Sequence, residues 1–223
     1  GFQAIELISN TNPKKMVRDL REDPWELLRL TRQRIQKTPL RVICGRHLQA
    51  FQLTPRSIEE LWYQRLAAYG MRQVRISDSS NTAAGWRNHV GYARSVGIDP
   101  VVNLIFSLAP KYSDEYYAQK AREAAELDIL RICLKDPGGL LTPERVRTLV
   151  PAVLQNAGSK QVELHTHCNT GLGPQCCVEA IKLGIRYINT AVPPLADSSS
   201  NPSLFNVAKN ARALGYKTTV NED

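Results

Sequence analysis

The residues best suited to chemistry are His165 and His167, separated by one threonine at the end of the run Gln161-Val-Glu-Leu-His165. Side chains two apart on a strand point to the same face, so both imidazoles converge on one point. Two neutral imidazole nitrogens make half of a divalent-metal site, and the remaining ligands should come from neighbouring strand ends. A His-x-His pair alone is weak evidence and is equally compatible with ordinary polar packing. Lys135 supplies context, because it ends the mostly apolar run Ile129-Leu-Arg-Ile-Cys-Leu134 and precedes Asp136-Pro-Gly-Gly-Leu-Leu141. An ammonium has three donors and no lone pair, so Lys135 cannot hold a cation as it stands. It either binds a phosphate or carboxylate, or reacts with carbon dioxide to become a carbamate, an anionic oxygen ligand. Arg131 and Glu163 each lie four residues before a candidate ligand, which turns both inward, where a matched pair is tolerable and a lone charge is not. Asp78 and Asn81, just beyond Gln73-Val-Arg-Ile-Ser77, are candidates for substrate contact, while His47 and His89 read as ordinary polar residues.

Positioning these groups requires strand ends, and short β-branched runs recur along the chain at residues 4–8, 40–44, 73–77, 100–106, 129–134, 161–165 and 186–192. Helical patterns fill the gaps, with start signals at Thr54-Pro55, Ser113 and Thr142-Pro143 and C-terminal glycines at Gly70, Gly97, Gly184 and Gly215. Regular strand-then-helix alternation predicts a parallel sheet covered by helices, with no linker dividing it. No Gly-x-Gly-x-x-Gly turn follows the first strand, and polar residues gather at several strand ends instead. That favours a (β/α)8 barrel over an open doubly wound sheet. A barrel needs one strand more than these runs supply. Residues 216–220 form a weak candidate, and a missing first strand is the preferred explanation. The expectation is one N-terminally incomplete barrel domain over residues 1–223.

Composition excludes several classes. With 43% hydrophobic and 22% charged residues, 13 Gly and 13 Pro, the chain of 223 residues is neither disordered nor collagen-like. No apolar run approaches the ~18 to 20 residues of a membrane span, and no leader pattern opens the chain. The 5 Cys are odd in number and lack C-x-x-C spacing, which argues against a disulfide framework and for a reducing, cytoplasmic setting. The net charge of +8 is spread out, and its densest stretch, Arg29 to Lys37, interleaves with apolar residues like the wet face of a helix. No nucleic-acid partner is implied.

Three motifs in order resemble one family: Ile132-Cys-Leu-Lys-Asp-Pro-Gly-Gly-Leu-Leu141, Glu163-Leu-His-Thr-His-Cys-Asn-Thr-Gly171, and Asn189-Thr-Ala-Val continuing to Ser198-Ser-Ser-Asn-Pro-Ser203. Together with Glu22-Asp-Pro-Trp25 and Val74-Arg-Ile-Ser-Asp-Ser-Ser-Asn81, they are similar to the carboxyltransferase domain of pyruvate carboxylase and the α subunit of oxaloacetate decarboxylase. The resemblance covers nearly the whole chain. It implies a metal-dependent (β/α)8 barrel in which a carbamylated Lys135, His165 and His167 hold a divalent ion (Zn, Mn or Co), a small 2-oxo acid is the substrate, and biotin arrives on a carrier domain or subunit. A homo-oligomer is also expected. The family's fourth ligand, a first-strand aspartate, has no counterpart here, and its proton-relaying threonine would lie beyond residue 223, so no catalytic residue is assigned.

Departures bear on the substrate. Cys44 stands where the family carries the arginine that grips the oxo-acid carboxylate, and Arg46 is the candidate to restore that charge. Cys168 stands where the family has aspartate and, pointing away from His167 on an ideal strand, reads as structural. Two other readings stay open: a condensing or retro-aldol lyase of the same superfamily, like HMG-CoA lyase, working without biotin, and a non-catalytic barrel paralogue.

Overall fold

The computed structural model describes residues 1–9, 12–45 and 54–221. These fall into two compact units, one comprising residues 1–102 and 127–130, the other residues 103–126 and 131–223.

In the first unit β1 (Ile5–Ser9), β2 (Leu40–Gly45), β3 (Gln73–Ser77) and the start of β4 (Asp99–Ile105) lie side by side in chain order. All are parallel, with Arg41 opposite Gln73 and Ile43 opposite Arg75. The strands are rich in Val and Ile, which suit a pleated surface covered on both sides. One side is apolar: Val42, Cys44, Val74 and Ile76 are all buried. The other carries polar groups that pair with one another. Arg41 donates twice to the Gln73 amide oxygen, at 3.1 and 2.8 Å, and the fully buried Arg75 reaches Glu6 at 2.5 Å. Around them run α1 (Asn12–Lys15), continuing as a π-helical turn over Met16–Leu20, then α2 (Pro24–Arg34), α3 (Arg56–Ala68) and α4 (Ala83–Ser95). Asp23 caps α2 through the Trp25 N–H, with Pro24 in the first turn, where a missing N–H costs nothing.

The second unit begins at the end of β4 and continues through α5 (Asp114–Ala125), β5 (Arg131–Asp136), α6 (Pro143–Asn156), β6 (Gln161–Thr166), α7 (Gly173–Lys182), β7 (Tyr187–Ile188) and α8 (Leu204–Ala213). Here too the strands neighbour one another in chain order and every described pairing is parallel. Ser113 and Thr142 cap α5 and α6 as their sequences predict, accepting from the N–H groups of Tyr116 and Arg145. Gly70, Gly97, Gly184 and Gly215 all adopt positive φ.

Two strand expectations need correction. The run at 186–192 yields only Tyr187–Ile188 as a strand, followed by an isolated bridge from Ala191 to Ser203. Pro193 and Pro194 follow directly, and without N–H groups they cannot extend a ladder. Residues 216–220 form no strand. They follow the left-handed Gly215, and Val220 gives its carbonyl to the Arg212 side chain rather than to a neighbouring backbone.

Candidate metal centre

β5 and β6 are in register, with Arg131 opposite Gln161, Cys133 opposite Glu163 and Lys135 opposite His165. Paired residues on neighbouring strands share a face about 4.8 Å apart, so Lys135 and His165 stand at one level of the same side. Lys135 is 8% exposed and His165 4%. His167 follows the end of β6, its N–H donating to the Asp136 carbonyl at 3.1 Å, which continues the ladder one step beyond the strand. The Nε2 atoms of His165 and His167 are 3.1 Å apart, so the two rings converge as their spacing predicts.

The outer nitrogens each meet a polar partner. His167 Nδ1 lies 2.6 Å from the Ser199 carbonyl oxygen, which can only accept. His165 Nδ1 lies 3.2 Å from Asn189 Oδ1, and the amide's Nδ2 is directed at Glu163 Oε1, 3.5 Å away. The Ser199 carbonyl makes His167 Nδ1 a donor, which leaves a lone pair on Nε2 of the neutral ring. A contact this short between two ring nitrogens requires a proton or a cation between them. Two imidazoles bound to one ion at about 2.0 to 2.1 Å, at angles near 90 to 110°, have nitrogens about 2.8 to 3.4 Å apart. The observed separation fits, and a hydrogen bond from each distal ring nitrogen is the usual support of a metal-ligating histidine. Among the described residues no group of three His, Cys, Asp or Glu gathers to hold a metal, so a third protein donor would have to be of another type. Lys135 is the group at the level of His165 on the adjoining strand.

The surroundings hold this geometry. Asp136, fully buried, accepts from Leu140 N–H, Leu141 N–H and Thr166 Oγ1, each at 2.9 Å, which ties the loop after β5 to β6. Asn169 and Thr170 donate to the carbonyls of Gly138 and Gly139. Gly139, at φ +62°, lies so close that an added Cβ would stand 2.8 Å from the His167 carbonyl oxygen. Arg131 and Glu163 pair as their parity predicts, 3.8 Å apart and both buried, with the guanidinium also 4.0 Å from the centre of the Tyr187 ring. Cys168 is buried, its Sγ 3.9 Å from Asp197 Oδ1, and burial pushes its thiol up to about 11.

The substrate candidates are placed in the first unit. The Asp78 carboxylate accepts from the Ser80 N–H at 2.9 Å and sits against Gly85 in the first turn of α4. Asn81, 1% exposed with φ +50°, donates its N–H to the Asp78 carbonyl. What these contacts show is a turn held together by its own polar groups. Arg46 lies outside the described residues, as does His47. Cys44 faces Trp62 and Tyr63 of α3, and its thiol is pushed up to about 12 by burial, so it is packed against the helix layer. His89 is a buried residue bonded to the Tyr63 hydroxyl at 3.1 Å, in keeping with its reading as an ordinary polar residue.

Asn189 and Ser199 were not among the expected site residues. Asn189 could have been found from register, because Glu163 opposes Tyr187 and the next inward pair along the ladder is His165 with Asn189. The Ser199 contribution is a backbone carbonyl and leaves no mark in residue type.

A family profile described as HMGL-like matches residues 67–223. Among curated proteins, the chain is 28% identical over 219 residues to a pyruvate carboxylase subunit of Methanocaldococcus jannaschii, covering 98% of this chain and 38% of that protein. It is 24% identical over 225 residues to the methylmalonyl-CoA carboxyltransferase 5S subunit of Propionibacterium freudenreichii subsp. shermanii, covering 100% of this chain and 45% of the relative. The carboxyl transferase domain of Rhizobium etli pyruvate carboxylase superposes with a TM-score of 0.88 at 22% identity, over 94% of this chain and 36% of the other. That likeness shows the fold and agrees with the expected barrel class. The chain thus spans less than half the length of these relatives.

Proposed function

This chain belongs to the HMGL-like family, and on that premise we propose that it forms the metal-dependent carboxyltransferase centre of a biotin-dependent enzyme acting on a small 2-oxo acid. The observation that carries the proposal is the pair of converging Nε2 atoms 3.1 Å apart, level with a lysine on the adjoining strand. The relatives' names support the reaction class: a pyruvate carboxylase subunit, a methylmalonyl-CoA carboxyltransferase subunit and, at 22% identity, a 2-oxoglutarate carboxylase large subunit.

In this reading His165 and His167 hold a divalent cation (Zn, Mn or Co) through Nε2, and Lys135 is the third donor. Its amine and carbon dioxide combine to a carbamate, forming an N–C bond and releasing one proton, which changes a group without a lone pair into an anionic oxygen ligand. A divalent ion held there supplies Lewis acidity toward the carbonyl of an oxo acid, which favours its enolate. The protein's own work is to anchor the His167 ring on the Ser199 carbonyl, keep the lysine side chain largely out of water and hold the 135–141 loop against β6 through Asp136. The carboxyl group would come from or go to biotin on a carrier domain or subunit.

The full-length protein carrying this chain should release pyruvate from oxaloacetate in a manner stimulated by free biocytin, and His165→Ala should reduce that release to background. Release unaffected by either biocytin or the substitution would overturn the assignment.

A further inference from the structure

We propose that Asp197 is the positioning residue that holds the Ser199 carbonyl against the His167 ring, by fastening a strained loop between the end of β6 and the start of α8. The step from this loop to cation binding rests on the metal-centre reading above, whereas the positioning stands on the loop's own bonds.

Three consecutive residues at the end of β6 are each met by the loop. The Thr166 carbonyl accepts from Asn201 Nδ2 at 2.9 Å, the Cys168 N–H donates to the Ser200 carbonyl at 2.9 Å, and between them His167 Nδ1 meets the Ser199 carbonyl oxygen at 2.6 Å. The loop is also closed on itself. Asp197 N–H donates to the Asn201 carbonyl at 2.8 Å, and Ser200 N–H donates to the Asp197 carbonyl at 2.9 Å. This tight closure puts Asp197 and Ser198 at φ +65° and +51°, two adjacent L-residues in the left-handed region. Such a pair is unfavourable and persists only where surrounding contacts over-determine it.

The side chain of Asp197 supplies the contact. Its Oδ1 accepts from the Ser203 N–H at 3.0 Å, immediately before α8, and Cys168 Sγ lies 3.9 Å from the same oxygen. A carboxylate makes this bond stronger than a neutral acceptor would, and it sits at the positive end of the α8 dipole. Helix α8 is itself fixed, with Leu204, Val207, Ala208 and Ala211 buried and the Leu204 N–H donating to the Ala191 carbonyl. The loop is therefore tied on one side to a packed helix and on the other to β6. Ser198 and Ser199 are exposed, so burial of their own side chains does not hold the carbonyl in place. Aspartate suits both demands at position 197, because it tolerates a left-handed backbone and carries an acceptor on a short side chain.

The test begins without metal. Asp197→Gly keeps a left-handed backbone free of strain and removes the carboxylate. In metal-free full-length protein, hydrogen exchange at the Ser203, Ser200 and Cys168 amides should become about 10- to 100-fold faster, the loss of one charge-assisted bond, while amides of the β5–β6 ladder stay unchanged. Crystals of this variant should show the Ser199 carbonyl oxygen beyond hydrogen-bond distance of His167 Nδ1. Titration with Co²⁺ alone should give a dissociation constant about 10-fold weaker. Asp197→Asn, which keeps Oδ1 and tolerates positive φ, should restore most of the exchange protection, the contact and the affinity. Ser198→Gly relaxes the neighbouring position without touching the carboxylate and should stay close to wild type. Unchanged exchange and an intact carbonyl contact in Asp197→Gly, or an equal loss in Ser198→Gly, would overturn the positioning role. A loosened loop with wild-type Co²⁺ affinity would overturn the step to the cation. A loosened loop in a protein whose wild type binds no Co²⁺ upholds the positioning and refutes the metal reading instead.

Discussion

Gly139→Ala probes how closely the loop after β5 supports the histidine pair. Gly139 sits at φ +62°, and an added Cβ would lie 2.8 Å from the His167 carbonyl oxygen and 2.9 Å from the Asn169 nitrogen. Both neighbours are backbone, so neither can rotate away. Left-handed placement of an L-residue costs roughly 1 to 2 kcal/mol. Forcing a methyl group into a filled space adds about 1 to 3 kcal/mol, so the expected loss is about 2 to 5 kcal/mol. Gly97→Ala separates the two contributions. Gly97 also has positive φ, +73°, but no atom lies within 4 Å of its added Cβ, so only the conformational part, about 1 to 2 kcal/mol, should appear there. Urea unfolding followed by circular dichroism measures both variants. Because the backbone of His167 must yield, Gly139→Ala should also weaken Co²⁺ binding, and Gly97→Ala should not. If the two variants lose equal stability and bind Co²⁺ alike, the loop does not brace the site as described.

Burial lowers the pKa of His89 from 6.5 to about 4, against a smaller opposing effect of Asp78. The unfolded chain therefore takes up a proton first as pH falls, and stability contributed by neutral His89 is present above about pH 6.5 and lost on the way down to about pH 4. The full effect is about 3 kcal/mol, measurable by urea unfolding across that range and absent in His89→Gln. Glu6→Gln removes the negative charge facing the guanidinium of Arg75, which is 1% exposed and 2.5 Å from the carboxylate, so a loss of about 3 kcal/mol is expected. Equal stability of Glu6→Gln and wild type in the same assay would show that Arg75 is held by other groups. Thr142→Ala removes the acceptor of the Arg145 N–H at the start of α6 and should cost about 1 kcal/mol in thermal or urea unfolding.

Where residue type dictates geometry, the fold was legible in the sequence. Ser113 and Thr142 announce their helices because a hydroxyl accepts from the first-turn N–H groups, and Gly70, Gly97, Gly184 and Gly215 mark positions where φ is positive. The alternation of β-branched runs and helices predicts parallel pairing, and the His-x-His spacing predicts convergence of two rings now seen 3.1 Å apart. The inward pairing of Arg131 with Glu163 followed from strand parity alone. What escaped was whatever depended on neighbours distant in the chain. The run at 186–192 looks like a full strand by propensity, yet pairing stops at Ile188, and Asn189 turns from a ladder residue into a support for His165. The Ser199 carbonyl became a site group only because its loop returns to His167, and backbone atoms carry no sequence signal. Cys44 illustrates the reverse case: its position invites comparison with the family's carboxylate-gripping arginine, and its side chain packs on Trp62 and Tyr63.

Diffraction at a metal absorption edge, from crystals of the full-length protein grown with Zn²⁺ and bicarbonate, examines the shared centre of His165, His167 and Lys135 most directly. One anomalous peak should appear about 2.0 to 2.1 Å from both Nε2 atoms, with continuous density extending Lys135 Nζ by a carboxylate that also reaches the peak. A fully occupied metal elsewhere in the protein, with the two imidazoles bridged only by a proton and Lys135 ending at its amine, would contradict the account.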